Sequence, residues 1–371
     1  MNSVDLRQDE RAGFALRSLY RSYGYAPYHM SKFEEYELYV RNKDFLVSDH
    51  VITFTDATGR LLALKPDVTL SIVKNSRLDG NGVQKVYYNE KVYRTSQSSH
   101  EFHEITQVGL ECMGRVDAYA LCEVLTLAAR SLAELSDDFV LEVSHLDIVS
   151  RLLDGMGIDG QTRARLLSCI ADKNTHDIET VCREVGVDED RVVMLRQLVG
   201  AYGTVGQVMP VLRGLAEQDA ALCEPLGELC RVLSALEDNQ ATRSLRIDFS
   251  LINDMNYYNG IVFRGYIKGV PTRILSGGQY DGLMQKMGKS ARAVGFAVYL
   301  DLLEHLRERS PEYDVDTVIL YGQTTEPSDV CRAVEQSVKA GEQTIALRAL
   351  PPTLRYRRLV RLDGKEKTAH E

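Results

Sequence analysis

The 371-residue sequence predicts an α+β fold, an antiparallel sheet flanked by helices, on three observations. Extended segments rich in tyrosine and valine lie on both sides of a long stretch with helical spacing. Two of the longest, VQKVYYNEKVYR (83–94) and HEFHEITQVGLEC (100–112), are separated only by the polar loop TSQSS, the pattern of an antiparallel pair. A short strand-helix-strand run follows YDVD (313–316) and reads as a small separate α/β unit.

Taken in order, Arg7 to Ser22 forms an amphipathic pattern with Phe14, Leu16, Leu19 and Tyr20 on its apolar side, stopped by Gly24 and Pro27. VITFTD (51–56) and LLALKP (61–66) flank the turn DATGR and predict a hairpin, after which Asp67 stands at the start of the helix TLSIVKN. From Asp117 to about Glu237 apolar residues recur at three and four, except in the strand FVLEV (139–143). This predicts a helical insertion at about 148–240 that splits one sheet. Strands resume at SLRIDFS (244–250), NGIVFRGYI (259–267) and TRILSG (272–277), and a closing helix is expected from about Val294 to Glu308. The boundaries that follow are a domain over 1–312 and a short C-terminal α/β unit over 313–371, with TVILYG, PSDVCRAVEQSVKA and QTIALRA as its elements and PTLRYRRLVRLDGKEK as a basic tail.

Composition narrows the function. No apolar run approaches the roughly 18 residues of a membrane span, and MNSVDLRQDE lacks an apolar signal core, so a soluble cytoplasmic protein is expected. A formal charge of −9 argues against nucleic acid as the main partner, because phosphate contacts need a basic surface. Seven cysteines (Cys112, Cys122, Cys169, Cys182, Cys223, Cys230, Cys331) never form C-x-x-C, which fits reduced, mostly buried thiols rather than a disulfide framework or a zinc site. His100 and His103 beside Glu101 and Glu104 read as a solvated turn. No metal and no cofactor is expected.

Chemistry gathers on two stretches. Side chains alternate along a strand, so Ile105, Gln107, Gly109 and Glu111 share one face: an amide, a space-giving glycine and a carboxylate that could together hold a small zwitterion, or that could simply be a solvated sheet face. Arg94, at the end of the neighbouring strand, offers a planar fork for a carboxylate or phosphate. In LINDMNYYNGIVFRGY (251–266) the pair Tyr257 and Tyr258 precedes the turn-forming Asn259-Gly260, and in SGGQYDGL (276–283) two glycines permit close backbone approach.

The motifs LKPDVT, VYR with QVGLE, NYYNGIVF, SGGQYDGL and AVGFAVYLD, in this order, resemble the catalytic domain of histidyl-tRNA synthetase over roughly residues 5 to 308. The resemblance implies the class II aminoacyl-tRNA synthetase fold, usually dimeric. It also implies a histidine-binding set: Asp67 and Thr69 after the proline, Arg94 of motif 2, Gln107 and Glu111 for the amino group and side chain, and Tyr257 and Tyr258 near the imidazole.

The departures from the family carry as much information. Asn253 stands where the synthetases place an arginine that assists adenylation, and Leu302 where their last motif places the arginine that sandwiches adenine. The motif 2 loop TSQSSHEFHE lacks the arginine-rich run, the motif 1 proline is Ser31, and the tail is too short for a full anticodon-binding domain. A preorganised group at such a site is typically worth about a hundred- to a thousandfold in rate, so these losses imply no catalysis. A synthetase-like chain with a kept amino acid pocket resembles the family of ATP phosphoribosyltransferase regulatory subunits. That resemblance implies L-histidine as ligand, a short-form catalytic subunit as partner in a hetero-oligomer, and a role in histidine biosynthesis. The alternatives are a divergent histidine-tRNA ligase, to which the basic RYRRLVR (355–361) would offer an RNA contact, and a histidine or tRNA sensor in another pathway.

Overall fold

A computed structural model describes residues 6–46, 51–77, 82–95, 101–237, 239–252, 255, 257–305 and 312–362. The chain divides into two compact units, residues 1–306 and 307–371.

The first unit is built on a nine-stranded sheet. Its strands lie side by side in the order Ala26–Pro27, Val83–Thr95, Phe102–Gly114, Arg292–Tyr299, Leu275–Gln279, Asn259–Ile267, Phe139–His145, Leu245–Asp248 and Tyr202–Gly203. Pairing is antiparallel except at Ala26–Pro27 with Val83–Thr95 and at Phe139–His145 with Leu245–Asp248. The long expected pair is present in full, with Val83 opposite Gly114 and Thr95 opposite Phe102. The short hairpin is present too, Thr53–Thr55 against Leu61–Leu64, its turn held by the Asp56 carboxylate accepting from the backbone N–H groups of Thr58 and Arg60.

Alternation gives the sheet two faces. Val108, Leu110 and Cys112 point into the main apolar core, where the helices Gln8–Ser22 and Ala118–Leu135 cover them. Residues of opposite parity, among them Tyr88 and Met113, meet a smaller cluster under the helix Thr69–Asn75. Among the described residues, six α-helices run between Phe139–His145 and Leu245–Asp248: Leu146–Asp154, Gly160–Ala171, Thr175–Glu184, Glu189–Gly200, Val205–Gln218 and Cys223–Leu236. Glu228 on the last of these bonds both Arg292 (3.0 Å) and the His145 ring (3.2 Å), tying that helix to two strands. The two bonds hold the Glu228 carboxyl down at about 2 against the opposing effect of burial.

Three expectations are corrected. The stretch from Val294 is not a helix: Arg292–Tyr299 is a central strand, followed by a short 3-10 turn, Leu300–His305. Val294, Phe296 and Val298 face the main core and Leu300 and Leu303 continue it around the turn, which mimics helical spacing. In the first helix Leu16 and Tyr20 are buried with Ala12 and Gly13, but Phe14 lies on the outer side, 57% exposed. The seven free thiols are not mostly buried, since only Cys112 and Cys182 are, while Cys223 and Cys331 are exposed.

The second unit is a three-stranded parallel sheet in the order Thr344–Leu347, Val315–Leu320, Tyr356–Arg361, with the helix Pro327–Lys339 joining the first two in the usual strand-helix-strand manner. Two arginines of RYRRLVR are engaged within the unit, Arg355 with Asp314 and Arg358 with Glu342, each at 2.6 Å. Among the described residues no helix is long and apolar enough to cross a membrane.

Candidate functional site

A narrow cavity of about 60 Å³ opens on the sheet face opposite the main core. All seven residues singled out from the sequence line it: Asp67, Thr69, Arg94, Gln107, Glu111, Tyr257 and Tyr258.

Glu111 forms the deep end. It is only 2% exposed, yet its two oxygens accept hydrogen bonds from the Thr69 hydroxyl (2.8 Å) and the Tyr280 hydroxyl (2.7 Å). Burial disfavours the charged form and pushes this carboxyl up to about 8 against the pull of those donors. Glycine makes the room. Gly295 lies directly across from Glu111, and a Cβ there would sit 1.7 Å from the carboxylate; a Cβ on Gly109 would sit 2.5 Å from the Tyr88 hydroxyl. The mixed face of the Phe102–Gly114 strand is therefore a pocket wall rather than a solvated surface.

Asp67 precedes the helix Thr69–Asn75 and accepts from the Leu70 N–H at 2.8 Å. Its burial raises its pKa, while that N–H and the nearby Arg94 charge oppose the rise. Arg94 is anchored by donating its Nε hydrogen to the Pro66 carbonyl at 3.0 Å. Tyr257 and Tyr258 stack edge to face with ring centroids 4.6 Å apart, and Tyr257 also lies 6.4 Å from Tyr280. Burial lifts the Tyr257 phenol well above its ordinary value, so it stays neutral.

Sequence reasoning missed Tyr88, Arg273, Ser276, Tyr280, Gly295, Ala297 and Tyr299, all of which line the cavity. Gly295, Ala297 and Tyr299 lie inside a quoted motif, and strand parity would have found them had AVGFAVY been read as a strand; Ser276 and Tyr280 lie in SGGQYDGL. Arg273 lies outside every motif. It adds a cation to the cavity alongside Arg94.

Leu302 is half-buried against the main core. Asn253 lies outside the described residues, as do His100 and most of the loop TSQSS. His103 and Glu104, expected in a turn, lie on the Phe102–Gly114 strand, where Glu104 is ion-paired with Lys91 of the neighbouring strand, and among the described residues no group of three or more His, Cys, Asp or Glu could hold a metal ion. Chemically the cavity offers a protonatable acid and hydroxyls at one end, an aromatic wall, and guanidinium groups. That set suits recognition of a small zwitterion bearing N–H groups.

Comparison with known proteins gives the same direction. A family model described as histidyl-tRNA synthetase matches residues 3–303. The ATP phosphoribosyltransferase regulatory subunit of Oceanobacillus iheyensis is 28% identical over 291 residues, covering 78% of this chain and 71% of that protein. Among solved structures, an ATP phosphoribosyltransferase regulatory subunit/histidyl-tRNA synthetase from Bacillus halodurans superposes with a TM-score of 0.78 at 23% identity, covering 95% of this chain and 93% of that one. A chain of the ATP phosphoribosyl transferase (HisG:HisZ) complex from Thermotoga maritima gives 0.62 at 21% identity, over 81% and 98%.

Proposed function

The chain belongs to the histidyl-tRNA synthetase family, and on that premise we propose that it is a regulatory subunit of ATP phosphoribosyltransferase, binding L-histidine without acting on it. The observation that carries this reading is the cavity itself, in which all seven residues of the implied histidine set meet around the buried Glu111 carboxyl. The relative named as a regulatory subunit supports the same assignment.

In this reading Glu111 takes an imidazole N–H, the Tyr257–Tyr258 wall flanks the ring, and Gln107 holds the amino acid head. The adenylation step is missing for a physical reason. Leu302 turns an aliphatic chain into the core at the position where the resemblance expects an adenine-binding arginine, and an aliphatic chain cannot compensate phosphate charge. The partner is a short-form catalytic subunit, and this chain acts as a homodimer within a cytoplasmic hetero-oligomer, with no role for nucleic acid. Regulation follows if histidine binds one conformation of the complex better than another, a coupling typically of about 1–3 kcal/mol.

The test mixes the purified chain with the catalytic subunit and measures ATP phosphoribosyltransferase activity with and without histidine. Activity that depends on this chain and falls with histidine is the expected result. Histidine-dependent exchange of pyrophosphate into ATP by the chain alone would restore the ligase reading. Absence of any complex would favour a sensor in another pathway. Binding itself is read by thermal stability, since histidine at about a hundred times its Kd adds roughly 2.7 kcal/mol, a gain that Glu111→Ala should abolish.

A further inference from the structure

The floor of the cavity is graded in size. Residues two apart on a strand share a face, and Arg292–Tyr299 presents Gly295, Ala297 and Tyr299 to the cavity in succession. The antiparallel register sets Gly295 against Glu111 and Tyr299 against Gln107. These pairs are four residues apart, about 14 Å along the sheet at roughly 3.4 Å per residue. The floor is deepest beside Glu111, where glycine makes room for the carboxyl, and is blocked beside Gln107 by a phenol ring. Arg273 stands at the blocked end. The carbonyl of the next residue, Ile274, accepts a hydrogen bond from the Tyr299 N–H at 2.9 Å, and Arg273 lines the same cavity. The acid is at the deep end and a guanidinium at the other.

We propose that Arg273 and Tyr299 make the site specific for an amino acid with a free α-carboxylate. Arg273 pairs with that carboxylate, and Tyr299 fills the space beyond it, so carboxyl-extended derivatives such as esters and acyl phosphates are excluded. A single amino acid whose side chain reaches Glu111 fits within the graded length, and the ring of Tyr299 takes up what remains. The inference rests on the reading of the cavity as a histidine site and adds the two residues that set its selectivity. It also supplies a steric reason for the absence of adenylation, independent of the lost arginines, because an acyl-adenylate is a carboxyl-extended amino acid.

Calorimetric titration of the full-length chain with three probes tests it: L-histidine, L-histidinamide, which has the same shape without the negative charge, and L-histidine benzyl ester, which extends the carboxyl. The wild type should prefer histidine to histidinamide by about tenfold or more and should not bind the ester. Arg273→Met should lose about tenfold or more for histidine and little for histidinamide. Tyr299→Ala should admit the ester and keep histidine affinity within about threefold. Should Tyr299→Ala not fold, Tyr299→Leu opens part of the same space, and Arg273→Met on the half-buried rim carries the charge test.

The proposal is overturned, with the histidine reading intact, if the wild type binds histidine and histidinamide alike, or if shortening Tyr299 leaves the ester excluded. A wild type, alone and in its complex, that binds no histidine overturns the parent reading as well.

Discussion

The two faces of the Phe102–Gly114 strand are equally shut off from water and opposite in chemistry. On one, Val108, Leu110 and Cys112 are wholly buried among aliphatic and aromatic neighbours. On the other, Gln107 and Glu111 are 4% and 2% exposed, with Gly109 between them. Burial alone therefore does not mark the site. The apolar face gains free energy from leaving water, whereas the polar face costs free energy that the Thr69 and Tyr280 hydroxyls only partly offset. One strand thus holds the fold together with alternate residues and spends stability on a site with the rest.

Substitutions on the two faces sharpen that contrast. Leu110→Ala should have the largest effect on stability, about 2–5 kcal/mol of unfolding free energy measured by denaturant titration. A loss under about 1 kcal/mol would show that the helix-covered face is not what holds the strand.

Glu111→Gln comes next, and its signature is a pH dependence. The folded carboxyl sits at about 8 and the unfolded one near 4.5. Between those values the native state keeps a proton that the unfolded chain releases, so wild-type stability falls as pH rises through that window. Glu111→Gln removes this contribution. The variant should match the wild type near pH 4 and exceed it near pH 8 by on the order of a few kcal/mol. Parallel stability curves for the two proteins would mean that Glu111 is ionised throughout.

Gly295→Ala is the subtlest in stability, about 1–3 kcal/mol, because its methyl meets the Glu111 carboxyl and the Leu110 carbonyl. Its expected mark is the loss of histidine-induced thermal stabilisation in a chain that still folds. A retained response would place the ligand elsewhere.

Much of this was legible in the sequence where period and parity were unambiguous. The paired strands through Arg94 and Gln107 alternate cleanly, so the parity that puts Gln107, Gly109 and Glu111 together could be read directly. AVGFAVYLDLLEHL could not be read the same way. A central strand covered on both faces offers no polar alternation, and the apolar turn that follows Tyr299 completes a false helical period. With that strand went Gly295, Ala297 and Tyr299. Arg273 was invisible for another reason, since it sits just before its strand and only the register with Tyr299 brings it to the cavity.

The same misread strand has a consequence for how the molecule assembles. Arg292–Tyr299 lies between Phe102–Gly114 and Leu275–Gln279, so it joins two half-sheets whose own strands come earlier in the chain. Pairings of such long sequence separation are slow to form, because the loops they close are long. Neither half-sheet has the floor of the cavity until this strand is seated. Ligand contacts that need this strand in place can form only once it has paired, so small molecules that bind there should slow unfolding more than they speed refolding.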